Sequence, residues 1–536
     1  MNRAVPPGTS ADASPPVADE ASARAWLENL PLANVAESQR QLLEQLEALN
    51  GLQVPAAGRL GALEALREAV HFVQIEQAKR FTNRALPMAS AEAAVFDTTV
   101  GLWAQMRGGY QRCVEAALAG DAAMRAQAGL LCQRVLACAG LKMFHHHRAY
   151  RQVPPQEWRA LHQAYREAEA LGVAEAGVKD YLNRDVHDTS PRIAYARAVL
   201  TALSNPNELS QRQLTFVTFL LERWSGKIAL ALQQPDEGDL PPLIADLGSS
   251  RAPERGPAAG SELRYLDVTQ LARSLRNRIG LLRKGESPAK LALGEDCVQP
   301  SCEQLLVFLY RQWCQARVER IGERRLVADS VEACQGLAAM HYFLSGKAFR
   351  PPGERKELSQ RERDEIATFG RLATRHEEAY GDAQGFRLER WRLVDESAQG
   401  MRIERPAGEP GKRYAHGQLI AVKPADAKHF MLAQVRWLMT TESGELVAGV
   451  KRLAGLPEAI AVRATGLNAA RESWLPALAL GAVPALGAPA SLLLPAGWSR
   501  PGRVIERVAP ALERVRLLQT LERGIDFERV TFESIP

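Results

Sequence analysis

Cysteine is scarce in this sequence. Seven occur in 536 residues, at 113, 132, 138, 297, 302, 314 and 334, with no CxxC pair. A disulfide scaffold or a zinc ribbon needs paired, closely spaced thiols, so neither is expected, and a reducing cytoplasm suits the chain better. An excess of one charge is also lacking. Lys plus Arg number 67 against 62 Asp plus Glu, a net +5. That is too little for the concentrated basic face that grips nucleic acid irrespective of sequence, and no nucleic-acid partner is expected. Unbroken apolar runs are missing too. The longest uncharged stretch, Ser473 to Ser499, is interrupted by Pro476, Pro484, Pro489 and Pro495, and proline inside a helix removes a hydrogen bond and clashes with the preceding turn. The stretch reads as short β segments and turns, and no membrane span is expected. The opening MNRAVPPGTSADASPP has no apolar core and does not read as a signal peptide.

What is present is ordinary globular material. Hydrophobic residues make up 46% and charged residues 24%, enough to bury several cores. Residues 1–24 are rich in Pro, Ala and Ser and read as a disordered tail. Residues 25–235 carry apolar side chains at helix spacing: Leu42, Leu46 and Leu49; Leu63, Leu66 and Val70; Leu102, Met106, Tyr110 and Cys113; Leu131, Val135 and Cys138. This predicts a helical domain, as a bundle or a repeat-like stack. Residues 236–262, with PDEGDLPP and RAPERGPAAG, read as a linker or an irregular excursion, although 242–247 and the adjoining 263–266 can pair as strands. Residues 263–360 read as a second helical domain, with helices expected over Val268–Leu282, Ser301–Arg317 and Ser330–Leu344.

Beyond about Arg371 the apolar period drops from about 3.6 to 2. Trp391 and Leu393, Met401 and Ile403, and Val435, Trp437 and Met439 alternate with polar residues, between turn segments such as Pro406–Gly411 and Pro424–Asp426. Short alternating strands predict an antiparallel β-barrel over 361–470, followed by a β-rich extension over 471–536. The expected fold class is therefore multidomain α+β: an N-terminal all-α bundle or repeat-like region, then a C-terminal antiparallel β-barrel.

Most candidate catalytic or metal features have a plainer reading. Consecutive His145, His146 and His147 on a helix point in different directions and do not converge on one metal, so a surface or helix-end role is expected. Asp185, His187 and Asp188 have no locatable nucleophile. Gly226–Lys227 and Gly346–Lys347 lack the earlier Gly and the following Ser or Thr of a phosphate loop, and read as helix punctuation. Cys297, Cys302 and Cys314 lie on apolar faces and read as small core residues. No catalytic constellation and no metal or cofactor site emerges.

One pair of motifs is more specific. Arg371 and Arg375 form RxxxR, and twenty positions further on Asp395, Ser397 and Gly400 form DxSxxG. A chance DxSxxG is on the order of 0.1 per chain of this length at average composition. By themselves, Arg371 and Arg375 also suit a solvated helix face paired with Glu377 or Glu378, and Asp-x-Ser suits a strand-connecting turn. In this order, spacing and β context the two motifs resemble the PilZ domain, over about Arg361 to Gly466. Gly417–Val422, Ala433–Leu438 and Leu446–Val450 resemble its following strands, although a Phe is replaced by Lys451-Arg452-Leu453. The N-terminal helices resemble no family recognised from their residues.

The resemblance implies a β-barrel receptor for cyclic di-GMP, with Arg371, Arg375, Asp395, Ser397 and Gly400 as ligand-binding residues and no catalytic role. Arginine can give guanine O6 and N7 two parallel donors, bridge to phosphate and stack on a base. Asp395 can accept from a guanine edge, Ser397 can add one hydrogen bond, and Gly400 permits a positive φ or a close backbone approach. The implied function is a cytoplasmic cyclic di-GMP effector. In it, ordering of the Arg-bearing arm changes how the barrel docks on the helices, which pass the signal to a protein partner. The other readings are a helical scaffold whose barrel is structural only and, third, an enzyme using the His-rich helices.

Overall fold

The computed structural model describes residues 17–234, 243–256, 260–294, 297–298, 300–315, 325–353, 367, 380–465, 473–509 and 511–535. The chain divides into two compact units, Met1–Arg84 with Met88–Glu319, and Ala85–Pro87 with Arg320–Pro536.

The first unit is built on helices α1 (Glu20–Leu27), α2 (Val35–Gly51), α3 (Ala56–Ala78), α4 (Ser90–Leu118), α5 (Ala122–Ala126), α6 (Ala128–Arg148) and α7 (Pro155–Ala170). A two-stranded hairpin, β1 (Val178–Lys179) and β2 (Asp188–Thr189), precedes α8 (Pro191–Leu203) and α9 (Gln211–Trp224). Local chemistry sets the helix starts. Ser190 accepts the Ile193 N–H ahead of Pro191, and Ser210 and Gln213 form a reciprocal capping box. α1 opens the same way on Asp19 and Ser22, so helix begins inside the stretch 1–24 expected to be disordered. The predicted apolar stripes are the core: Leu42, Leu46, Leu66, Leu102, Met106 and Tyr110 are fully buried, and α6 packs against α4, α7 and α8.

The expected linker contributes to a sheet. β3 (Ala229–Ala231), β4 (Leu243–Asp246), β5 (Glu254–Arg255) and β6 (Leu263–Asp267) pair antiparallel in the order β3-β6-β4-β5, with Leu243 opposite Leu266 and Asp246 opposite Leu263. Helices α10 (Thr269–Arg283) and α11 (Ser301–Cys314) follow. Cys297 and Cys302 are not separate core thiols as expected. The turn before α11 brings their Cα atoms to 5.0 Å and they form a disulfide, while Cys314 is free and buried.

Histidines 145–147 stand at the end of α6, as expected of a helix end, but they are buried rather than on the surface. Burial, then Arg148, holds His145 well below the usual histidine range. Burial, then Arg151, pushes His146 down to about 4, and burial, then His146, pushes His147 down to about 3. The fold thus favours the neutral rings. Below pH 6.5 the unfolded chain takes up protons that the folded chain refuses, so stability falls as the pH drops from about 6.5 toward these values. One such ring accounts for about 2 kcal/mol at pH 5. The melting temperature should fall between pH 7 and pH 5, above the range where carboxylates titrate, and His147→Phe should flatten that slope. A melting temperature that is level across this range would refute the effect.

The second unit holds two closed antiparallel barrels. Its first strand, β7 (Arg325–Gln335), lies where a single helix over Ser330–Leu344 was expected. Only the second half is helical, as α12 (Leu337–Ser345). Val331 and Ala333 are buried at period two, and this half-buried alternation was hidden by the apolar run that follows it. The first barrel therefore begins at Arg325, inside the expected second helical domain. With β8 (Glu389–Ser397), β9 (Gly400–Arg405), β10 (Leu419–Pro424), β11 (Met431–Thr440) and β12 (Leu446–Arg452) it closes in the order β10-β11-β12-β9-β8-β7. The replaced Phe does not disturb closure, since β12 runs on through Lys451 and Arg452 and pairs with both β9 and β11.

The expected extension is part of a second barrel. It closes from β13 (Pro457–Ala464), β14 (Leu475–Leu480), β15 (Ser491–Pro495), β16 (Val504–Val508), β17 (Leu512–Arg523) and β18 (Phe527–Ile535), in the order β13-β14-β15-β18-β17-β16. The proline-broken run Ser473–Ser499 supplies β14 and β15, and among the described residues no helix is long and apolar enough to cross a membrane. The two barrels and α12 share a core containing Met340, Leu419, Leu432, Leu478, Leu493 and Phe527. The Leu419 N–H donates to Asp526 Oδ1 at 3.0 Å, and Lys451 meets Glu522 at 3.2 Å.

Candidate functional site

The DxSxxG segment forms the β8–β9 hairpin. Ser397 pairs with Gly400 across a two-residue turn, Glu396 with Met401, and Asp395 with Arg402. Alternation along β8 buries Trp391, Leu393 and Asp395 and exposes Arg390 and Arg392. Asp395 is thus placed in the buried register, 4% exposed, with Arg402 Nε 2.9 Å from its Oδ2. Ser397 Oγ donates to the Gly400 carbonyl at 3.3 Å. Gly400 meets the close-approach half of its expectation. A Cβ there would collide with the Val450 carbonyl oxygen of β12, while its φ lies outside the left-handed region. The obstacle is backbone rather than the end of a flexible side chain, so the strands would have to part. Gly400→Ala should cost about 1–3 kcal/mol, read as a lower urea midpoint. An unchanged midpoint would show that β9 and β12 separate freely.

Sequence reasoning missed the charges around this hairpin. Glu396 accepts from Arg452 of β12 at 2.8 Å and from Arg325 of β7 at 3.2 Å, and the Arg452 N–H donates to the Gln399 carbonyl at 2.9 Å. The hairpin tip is therefore pinned to both neighbouring strands. Arg402 was findable, because counting back across a two-residue turn puts it opposite Asp395. Arg325 and Arg452 come from strands remote in sequence and had no local signal.

Arg371 and Arg375 lie outside the described residues, as does most of 354–379. The segment that follows them is anchored. Tyr380 and Phe386 pack on Tyr342 of α12, with ring centroids 6.2 and 5.6 Å away. Gly381 sits where a Cβ would be 3.0 Å from the Tyr342 ring. The chain joining RxxxR to β8 is thus held to α12 beside the barrel.

The other candidate residues have structural roles. Asp185 pairs with Arg223 at 2.7 Å and Asp188 with Lys179 at 2.6 Å. Lys227 donates to Ser274 Oγ at 2.6 Å, and Gly346, with φ +65°, ends α12. Among the described residues no group of three His, Cys, Asp or Glu could hold a metal ion.

Residues 21–236 match the model of the cyclic-di-GMP receptor FimW N-terminal domain, and residues 460–535 match that of the FimW C-terminal β-barrel domain. The chain is a FimW homologue. Over 520 residues it is 24% identical to the cyclic-di-GMP receptor FimW of Pseudomonas aeruginosa, across 88% of this chain and 83% of that protein. The FimW N-terminal match takes in α1 to α9, the helices whose residues suggested no family. The FimW C-terminal match falls on the second barrel, and the PilZ-like hairpin stands between the two, on the first barrel.

Proposed function

We propose that this chain is a cyclic di-GMP-binding signalling effector that works by binding rather than by catalysis, in the cytoplasm. The nucleotide is read at the first barrel, and the helical unit passes the signal to a protein partner. The observation that carries the reading is the β8–β9 hairpin. It holds an inward-register carboxylate against a planar guanidinium, at the DxSxxG position of a chain that is similar over 88% of its length to a cyclic-di-GMP receptor.

The chemistry follows from the Asp395–Arg402 pair. A carboxylate that ion-pairs with a planar guanidinium can accept from the N1–H and N2–H₂ edge of guanine, which presents two donors in one plane. Binding would exchange one planar donor for the other and release Arg402, whose side chain is 38% exposed, to stack on the base or meet a phosphate. Arg371 and Arg375, on the arm anchored at Tyr380 and Phe386, would close over the second guanine and the phosphates. Ser397 and Gly400 would hold the hairpin in register for that exchange.

Titration calorimetry on the full chain tests the reading. Cyclic di-GMP should bind with measurable heat, whereas GMP and GTP, which each offer a single guanine, should bind far more weakly. At about 100 times the dissociation constant the ligand should stabilise the binding unit by about 2.7 kcal/mol. Absence of both heat and melting shift at low salt would overturn the receptor reading.

A further inference from the structure

The helical unit encloses a cavity of about 370 Å³, walled by α3, α4, α6, α8, α9 and the β1–β2 hairpin. Its walls are largely apolar, from Trp103, Leu136, Leu141, Phe144, Ile193 and Leu221. The carboxylates that face it are already engaged. Asp180 accepts from both Arg67, at 2.8 and 2.9 Å, and Gln133, at 2.9 Å. Glu222 meets Arg197 at 3.2 Å and accepts the N–H groups of Arg184 and Asp185. Asp188 pairs with Lys179.

The cations do not balance in the same way. Arg67 and Arg197 are spent on those acids. Arg148, at the end of α6, has no carboxylate partner among the described residues and lies 5.6 Å from the centre of the Phe144 ring. Burial alone pulls its pKa down, the sign of a cation removed from water without an anion in return. Three further wall residues hold unspent polar atoms. Trp103 is 1% and His145 3% exposed, and among the described residues Trp103 Nε1, His145 Nδ1 and His71 Nδ1 have no hydrogen-bond partner. A buried polar atom left unmatched is unfavourable, and here three of them stand with an uncompensated guanidinium around one apolar space.

We propose that this cavity binds a small amphiphilic carboxylate, with its apolar body among Trp103, Phe144 and the aliphatic walls and its single negative charge on Arg148. The size fits: at roughly 30 Å³ per water-sized unit the space takes about a dozen non-hydrogen atoms. Among the described wall residues Arg148 is the one unpaired guanidinium withdrawn from water, Arg184 being exposed, and it matches one anionic group, whereas a nucleotide with two phosphates would leave a charge without a partner. Mostly apolar walls with a few convergent polar groups are the usual make-up of a small-molecule site.

Titration of the full chain with dodecanoate and 1-naphthoate, each below its aggregation limit, tests the assignment, with dodecanol as the neutral control. At least one carboxylate should bind with unit stoichiometry, and dodecanol at least tenfold more weakly than dodecanoate. Arg148→Gln should weaken the carboxylate at least tenfold and leave dodecanol unchanged. Ala137→Phe, which fills the space from α6, should remove binding of both, with circular dichroism confirming the fold. Presaturation with cyclic di-GMP should leave a carboxylate isotherm of unit stoichiometry. Equal affinity for dodecanol and dodecanoate, unchanged binding in Arg148→Gln, no binding of either carboxylate, or abolition of the isotherm by cyclic di-GMP would each overturn it.

Discussion

Replacing Arg371 and Arg375 together by alanine should weaken cyclic di-GMP binding about a thousandfold while leaving the melting temperature of the free protein almost unchanged. A bidentate arginine contact to guanine is worth about 1–3 kcal/mol. Two together at about 4 kcal/mol correspond to roughly three decades in dissociation constant. The described strands close both barrels among themselves, so the effect should appear in calorimetric titrations and not in melting. Lysine at either position should not restore affinity, because an ammonium cannot supply two coplanar donors. Asp395→Ala should also abolish binding, but it leaves Arg402 without this carboxylate and so should lower the melting temperature as well. Wild-type affinity in the double arginine variant would show that the RLATR segment is a solvated helix face and that the nucleotide binds elsewhere.

Asp180→Ala should be the most destabilising single substitution in the helical unit, by about 3–5 kcal/mol. Asp180 is buried, 3% exposed, between Arg67 and Arg134, whose side chains are 8% and 5% exposed. Burial pushes its carboxyl pKa up, but Arg67 and Arg134, with the Gln133 hydrogen bond, outweigh this and hold it below the usual carboxylate range. Removing the carboxylate leaves Arg67 with no other ion-pair partner among the described residues, while Arg134 keeps Glu64 at 2.9 Å. The cost therefore comes from a stranded guanidinium, and a melting temperature lower by roughly 10 °C is expected. The double variant Arg67→Met with Asp180→Leu should recover most of the loss, since a buried pair replaced by apolar groups of similar size is often neutral. If the double variant is as unstable as Asp180→Ala, the pair matters through geometry rather than through charge.

The sequence by itself determined the elements whose pattern is local. The helices at Leu42–Leu49 and Leu102–Cys113 announce themselves by the spacing of side chains that must share one face, and Gly346 was legible as the end of a helix. The β8–β9 hairpin was legible because Asp395, Ser397 and Gly400 flank a two-residue turn, and strands β10 to β12 because apolar residues alternate between turn residues. Tertiary structure decided what depends on partners remote in the chain. Whether Ser330–Gln335 is strand or helix turns on β8 and β10 lying on either side of it, since a short apolar stretch fits both periods. Closure of the second barrel depends on β13 meeting β16 and β15 meeting β18, pairings that no turn specifies. The Cys297–Cys302 bond depends on the path of the loop before α11. Histidines 145–147 looked like a surface feature until the turn after α3 and helix α4 covered the end of α6, with Phe81 and Phe96 packed on the rings of His145 and His146. Arg67 finds Asp180 across 113 residues. A salt bridge leaves no local pattern, because either charge alone reads as a solvated surface residue until the fold removes water from both.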